Sequence, residues 1–187
     1  HPLTVNRHFQ WMKEYQIDGA FVQRFAIHGS KEQKNHRRLK YENQKLILCR
    51  NAANRNGRHW ALMYDLSGIQ NQDFERLAED WKNLRKRMQL GTDPKDLGYL
   101  QFNGKPLVGI WGVGFKDGRE YGLEKTEWFI RLLKDNPDWG GMSILLGVPY
   151  YWRDMDRDAV GDPKLHRIIS IADVISPWSV GRYAGLM

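Results

Sequence analysis

Between residues 71 and 90 the apolar positions Phe74, Leu77, Trp81, Leu84 and Met88 recur in steps of three and four, which places them on one face of a helix that Gly91 ends. The same spacing predicts an opening helix capped by Thr4, with Val5, Phe9 and Met12 inward. It also predicts a helix over residues 34–56 with Leu46, Cys49 and Ala53 on one side, closed by Asn56-Gly57. A further helix covers residues 123–135, with Trp128, Phe129, Leu132 and Leu133 inward, and Asp162-Pro163 opens a short one carrying Leu165, Ile168 and Ile169. Short continuous apolar runs stand between the helices. They are Ala20 to Val22 after the turn Asp18-Gly19, residues 60–66, 107–111 and 142–148, and Val174-Ile175. Runs of this length, apolar on both sides, read as buried strands. Asn103-Gly104 is a hairpin turn joining residues 99–102 to the strand at 107–111.

Strands alternating with helices predict a parallel sheet with helices packed outside it. A doubly wound sheet bearing a nucleotide site is disfavoured. The glycines 109, 112, 114 and 118 miss the GxGxxG order because Asp117 stands at the third glycine. The expectation is therefore a (β/α)8 barrel, with the strands near Phe21, Ala61, Ile110, Leu145 and Val174 parallel neighbours in chain order. Such barrels take about 250 residues and eight strands. Five strands in 187 residues predict one domain over residues 1–187 that forms part of a barrel, its open edges offering a route to self-association.

Composition narrows the class. With 41% hydrophobic and 27% charged residues, the chain can build a core, which excludes disordered and collagen-like chains. The single cysteine, Cys49, can form no internal disulfide, and no CxxC spacing suggests structural zinc. No apolar run is long enough to span a bilayer, and no basic-then-apolar leader opens the sequence. The net charge of +7 would suit an anionic partner. The positives are spread over several helices, however, so they read as solvated faces and no nucleic-acid partner is expected.

In a (β/α)8 barrel the site residues lie at the C-terminal ends of the strands. Here those ends carry Gln23 and Arg24; Tyr64, Asp65 and Ser67; Trp111 with Phe115; Tyr150, Tyr151, Trp152 and Arg153; and Trp178 with Arg182. Flat aromatic rings stack on sugar faces, while carboxylate, guanidinium and amide groups bind hydroxyls, so this mixture suits a carbohydrate. The expected binding residues are Gln23, Arg24, Asp65, Trp111, Tyr151, Trp152 and Trp178, and Asp65 leads because the turn Ser67-Gly68 leaves it at the barrel mouth. The cluster Asp154, Asp156 and Asp158 lacks the glycine and terminal glutamate of a calcium loop and reads as a paired, solvated loop. Glu124 and Glu127 fall in the first turns of a helix, where the macrodipole favours carboxylates. A copper site at His1 does not fit an alternating helix and strand scaffold. No metal or cofactor is expected.

Five stretches carry a family resemblance: YQIDGAFVQRF from Tyr15, WALMYDLSG from Trp60, YLQFNGKPLVGIWG from Tyr99, GVPYYWR from Gly147 and ADVISPWSVGRY from Ala172 to Tyr183. In this order they make a chain that resembles glycoside hydrolase families 71 and 99. The resemblance implies a (β/α)8 barrel acting on α-linked glycans, α-mannosides in family 99 and α-1,3-glucan in family 71, with no metal. It also suggests a secreted, periplasmic or cell-surface setting. The paired glutamates of family 99 lie in a stretch beginning Asn-Glu-Trp, which is missing here, so the catalytic residues stay unassigned. The expectation is the middle of a longer glycosidase with its catalytic pair beyond this sequence. A non-catalytic carbohydrate-binding α/β domain is the alternative.

Overall fold

A computed structural model describes residues 1–26, 33–119 and 121–182, with the side chains of residues 33–36 outside that description. Tyr183 of the last resemblance stretch and the side chain of His36 therefore lie outside the described residues. In chain order the elements are α1 (Pro2–Glu14), β1 (Gly19–Phe25), α2 (Gln33–Asn56) and β2 (His59–Asp65). A short 3-10 turn (Asn71–Asp73) leads into α3 (Phe74–Met88), followed by β3 (Gln101–Phe102), β4 (Lys105–Trp111) and α4 (Leu123–Asp135). β5 (Ser143–Pro149), α5 (Lys164–Ser170) and β6 (Val174–Trp178) complete the set.

β1, β2, β4, β5 and β6 lie side by side in that order, every adjacent pair parallel, as the strand positions predicted. β3 is the antiparallel hairpin partner of β4. Among the described residues the sheet does not close on itself, and β1 and β6 are its edges. This is an α/β fold with the architecture of part of a (β/α)8 barrel.

Side chains alternate across a strand, and here the two faces differ sharply. On one face Trp60, Leu62 and Tyr64 of β2, Val108 and Ile110 of β4, and Ile144 and Leu146 of β5 are buried in a core shared with the helices. The predicted α3 face, Phe74, Leu77, Trp81, Leu84 and Met88, is buried there in full. The opposite face, which is the lumen side of a barrel, has no helix over it among the described residues. There Phe21, Phe25 and Trp178 stay partly exposed, at 38%, 37% and 41%.

Two local expectations are corrected. α1 begins at Pro2 rather than after Thr4, because proline at the first helical position has a preset φ and His1 Nδ1 accepts the Leu3 N–H at 3.3 Å. Trp128 is not inward. It lies exposed on α4 with the Lys125 ammonium 5.6 Å from its ring.

Burial shapes the alkaline limit of the fold. It pushes the Cys49 thiol from 9.0 up to about 11, against the opposing charge of Lys45. It also raises the Tyr64 phenol well above 10.0, with Asp80 adding to the effect. These groups keep their protons when folded at pH values where the unfolded chain loses them. Their stabilisation is complete below about pH 9 and drains away as pH rises through the folded values. The thermal midpoint should hold up to about pH 9 and fall beyond it, with Cys49→Ala flattening the first part of the fall; a flat midpoint through pH 11 would remove this account.

Candidate active site

The lumen face reads in layers across the sheet. One register row is Phe25, Asp65, Trp111, Gly147 and Ser176, and the row beneath is Gln23, Met63, Gly109, Leu145 and Val174. Large side chains thus sit beside small ones, the interdigitation seen inside barrels. A Cβ at Gly147 would land inside the Trp111 indole, so only glycine lets that ring lie flat on the sheet. Trp111 also meets Trp178 edge-to-face at 5.3 Å. Gly147→Ala should therefore cost about 1–3 kcal/mol by overpacking and swing Trp111 out of the row. Denaturant unfolding and the Trp111 indole resonance would report this, and an unchanged resonance would refute it.

Asp65 ends β2 on this face and is only 4% exposed. Its Oδ2 accepts from Gln23 Nε2 at 2.5 Å, and its Oδ1 accepts the Ser67 N–H at 2.8 Å in the turn after the strand. The amide and carboxylate are thereby fixed together at the C-terminal ends of β1 and β2.

The loop after β4 builds the rim. Gly112, at φ +107, lets the chain leave the strand sideways in a conformation that side chains rarely adopt. Its carbonyl accepts the Tyr121 hydroxyl. Arg119 lies over the Phe115 ring at 4.9 Å. Its Nε donates to Asp117 at 2.8 Å, and its Nη1 donates to the Tyr121 hydroxyl at 3.2 Å and Ser67 Oγ at 3.4 Å. Burial works against the Arg119 charge, but Tyr121 and Asp117 outweigh it and hold the guanidinium above its ordinary pKa. Burial pushes Tyr121 up to about 12, so it is a neutral hydroxyl across the working range. The loop after β5 is stitched to this one through the antiparallel pair Phe115 and Ala159 and a Val160 N–H to Gly114 carbonyl bond of 2.9 Å.

The structure brings Gln23, Asp65, Trp111 and Trp178 together on the lumen face. It sends Arg24 elsewhere. Adjacent strand residues face opposite ways, and Arg24 is buried on the helix side, where it donates to both oxygens of Asp80 on α3, at 2.6 and 2.8 Å, and to Asn43 of α2 at 2.9 Å. Tyr64 shares that network, its hydroxyl donating to Asp80 at 2.8 Å. Tyr151 and Trp152 lie in the loop after β5. With Arg153, Ile175 and Pro177 they line a separate cleft of about 570 Å³. The Tyr151 hydroxyl donates to the Arg182 carbonyl at 3.0 Å and accepts from Arg157, whose guanidinium covers the ring at 4.4 Å.

Glu124 and Glu127 are tied to α5 and are not part of the lumen-side group. Glu124 pairs with Lys164 and Glu127 with Arg167, at 2.7 Å, and these bonds hold both carboxyls below their ordinary range. Asp158 accepts the Tyr150 and Tyr151 N–H groups, each at 3.2 Å, a loop-shaping role. Among the described residues no group of three or more His, Cys, Asp or Glu is placed to hold a metal ion, and no helix is long and apolar enough to cross a membrane. Arg119, Asp117 and Tyr121 were not among the sequence-derived site residues. Their one signal is the run of glycines at 112, 114 and 118, all at positive φ, which shapes a rim loop.

An uncovered lumen face, a polar and aromatic rim at the strand ends and a helical outer layer together define a segment of a (β/α)8-type barrel. Comparison with solved structures agrees. The chain is similar to the GH99 endo-α-mannosidase from Bacteroides thetaiotaomicron, with a TM-score of 0.59 and 12% identity over 95% of this chain and 44% of that one. It is likewise similar to that enzyme in complex with bis-tris-propane, with a TM-score of 0.51 and 14% identity over 79% of this chain and 40% of that one. The chain thus spans less than half the length of the enzyme whose fold it shares, and the family resemblance in the sequence is matched by the fold. No protein-family model and no curated protein matches the sequence.

Proposed function

We propose that the chain is the central portion of a glycoside hydrolase barrel and binds an α-linked glycan, of the α-mannoside or α-glucan class, across the lumen-side strand ends. The observation that carries this is the Gln23 and Asp65 pair, fixed beside the Trp111 and Trp178 rings on the uncovered face. The rings supply apolar platforms for pyranose faces, and the pair supplies charged and amide contacts to hydroxyls. Tyr151 and Trp152, which line the separate cleft beside β6, are left out of this site. The likeness to a solved endo-α-mannosidase supports the same class of target.

Glycoside cleavage needs two carboxylates on either side of the scissile bond. Among the described residues at this rim, Asp65 is engaged by Gln23 and Ser67, and Asp117 by Arg119. In the mechanism we propose, the acid/base pair is supplied by strands outside this chain that pair with the edges of β1 and β6. The 187-residue chain should bind α-linked manno- or gluco-oligosaccharides and leave them uncleaved, as read by calorimetry and by product analysis on the same samples. Turnover by a monodisperse monomer would place the catalytic carboxylates inside the chain, and absence of binding to either glycan class would remove the reading.

A further inference from the structure

Two guanidinium groups meet where the neutral reading of the site needs none. A small cleft of about 190 Å³ lies between Trp111, Phe115 and Trp178 and is lined also by Asp117, Arg119 and Arg182. Arg119 is held on three sides, by Asp117 at Nε, by Ser67 and Tyr121 at Nη1, and by the Phe115 ring beneath it. Its Nη2 makes no hydrogen bond among the described residues. On the facing side, Arg182 Nε is ion-paired with Asp158 Oδ2 at 3.1 Å. Two guanidinium groups, each ion-paired along one edge, thus line one cleft together with two indoles. Such pre-organised guanidinium edges match the paired oxygens of a carboxylate or sulfate, and little side-chain freedom is lost on binding.

We propose that this cleft recognises an anionic substituent, a carboxylate or a sulfate, on the glycan that the lumen-side site binds. Arg119 and Arg182 clamp the anion while Trp111 and Trp178 hold the ring that bears it. The inference rests on the carbohydrate reading and narrows its substrate to acidic glycans. The overall charge of +7 adds a favourable long-range field for such a ligand.

Three probes test it by calorimetry on the 187-residue chain: α-1,3-mannobiose, the same disaccharide with one C6 oxidised to the carboxylate, and its 6-sulfate. At least one charged probe should bind about tenfold or more tightly than the neutral one at low salt, the gap narrowing as salt is added. Arg119→Gln and, separately, Arg182→Gln should each shrink that ratio, while Arg119→Lys keeps part of it. The wild-type ratio needs no variant to fold. A ratio near one overturns the proposal and leaves the carbohydrate reading standing, as does a ratio unchanged in both glutamine variants. Failure of all three probes to bind overturns the proposal, and the carbohydrate reading falls with it if the corresponding α-linked glucobiose is unbound as well.

Discussion

Asp80→Ala is expected to destabilise the chain by about 3–5 kcal/mol, because it leaves the Arg24 guanidinium charged and unpaired inside the helix-side core. Arg24 is 2% exposed, and burial alone would lower its pKa; Asp80, Tyr64 and Glu42 reverse this and hold it above the ordinary value. The guanidinium is therefore charged in the fold and depends on Asp80 to remain there. Asp80→Asn keeps the shape and removes the charge, so it should cost a large part of the same amount. Joint replacement by Arg24→Met and Asp80→Leu should recover much of the loss, since an apolar pair of similar volume often matches a buried ion pair. Urea midpoints measure all three. A loss below about 1 kcal/mol for Asp80→Ala would mean that Arg24 finds another partner.

Asp65→Ala is expected to weaken glycan binding by about tenfold to a hundredfold, the worth of about 1.5–3 kcal/mol in charge-assisted hydrogen bonds. It also frees Gln23, whose amide is aimed by the carboxylate. Asp65→Asn retains the acceptor for the Ser67 N–H, which separates the turn from the site. If the turn alone matters, the asparagine variant binds like the wild type. If the carboxylate contacts the sugar, both variants lose affinity while their melting curves stay close to that of the parent. Unchanged affinity in Asp65→Ala would assign this side chain to the turn.

The parallel order of the sheet was legible because each helix carries one unbroken apolar stripe and each strand is an apolar run. The stripe on α3 is buried as its spacing predicts. The site was legible only where strand alternation was respected. Gln23 and Arg24 are neighbours on one strand, so both cannot face the lumen, and Arg24 is the one that turns to α3. Nothing in the spacing around Asp80 marks it as the partner, since the contact joins residues far apart in sequence. Tyr151 and Trp152 lie in an irregular loop, where no periodicity sets direction, and Asp158 and Arg157 decide how Tyr151 is held. Arg119 and Tyr121 reach the rim only through the sideways exit that Gly112 allows.

On this account the lumen-side strand ends hold a sugar against the exposed faces of the Trp111 and Trp178 pair. The most direct test follows the tryptophan indole N–H resonances of the 187-residue chain during titration with neutral and acidic α-linked oligosaccharides. The account predicts saturable shifts of the Trp111 and Trp178 signals, while those of Trp60 and Trp81, buried on the helix side, stay in place. Saturable shifts confined to other tryptophans, or no shift with either glycan class, would contradict it.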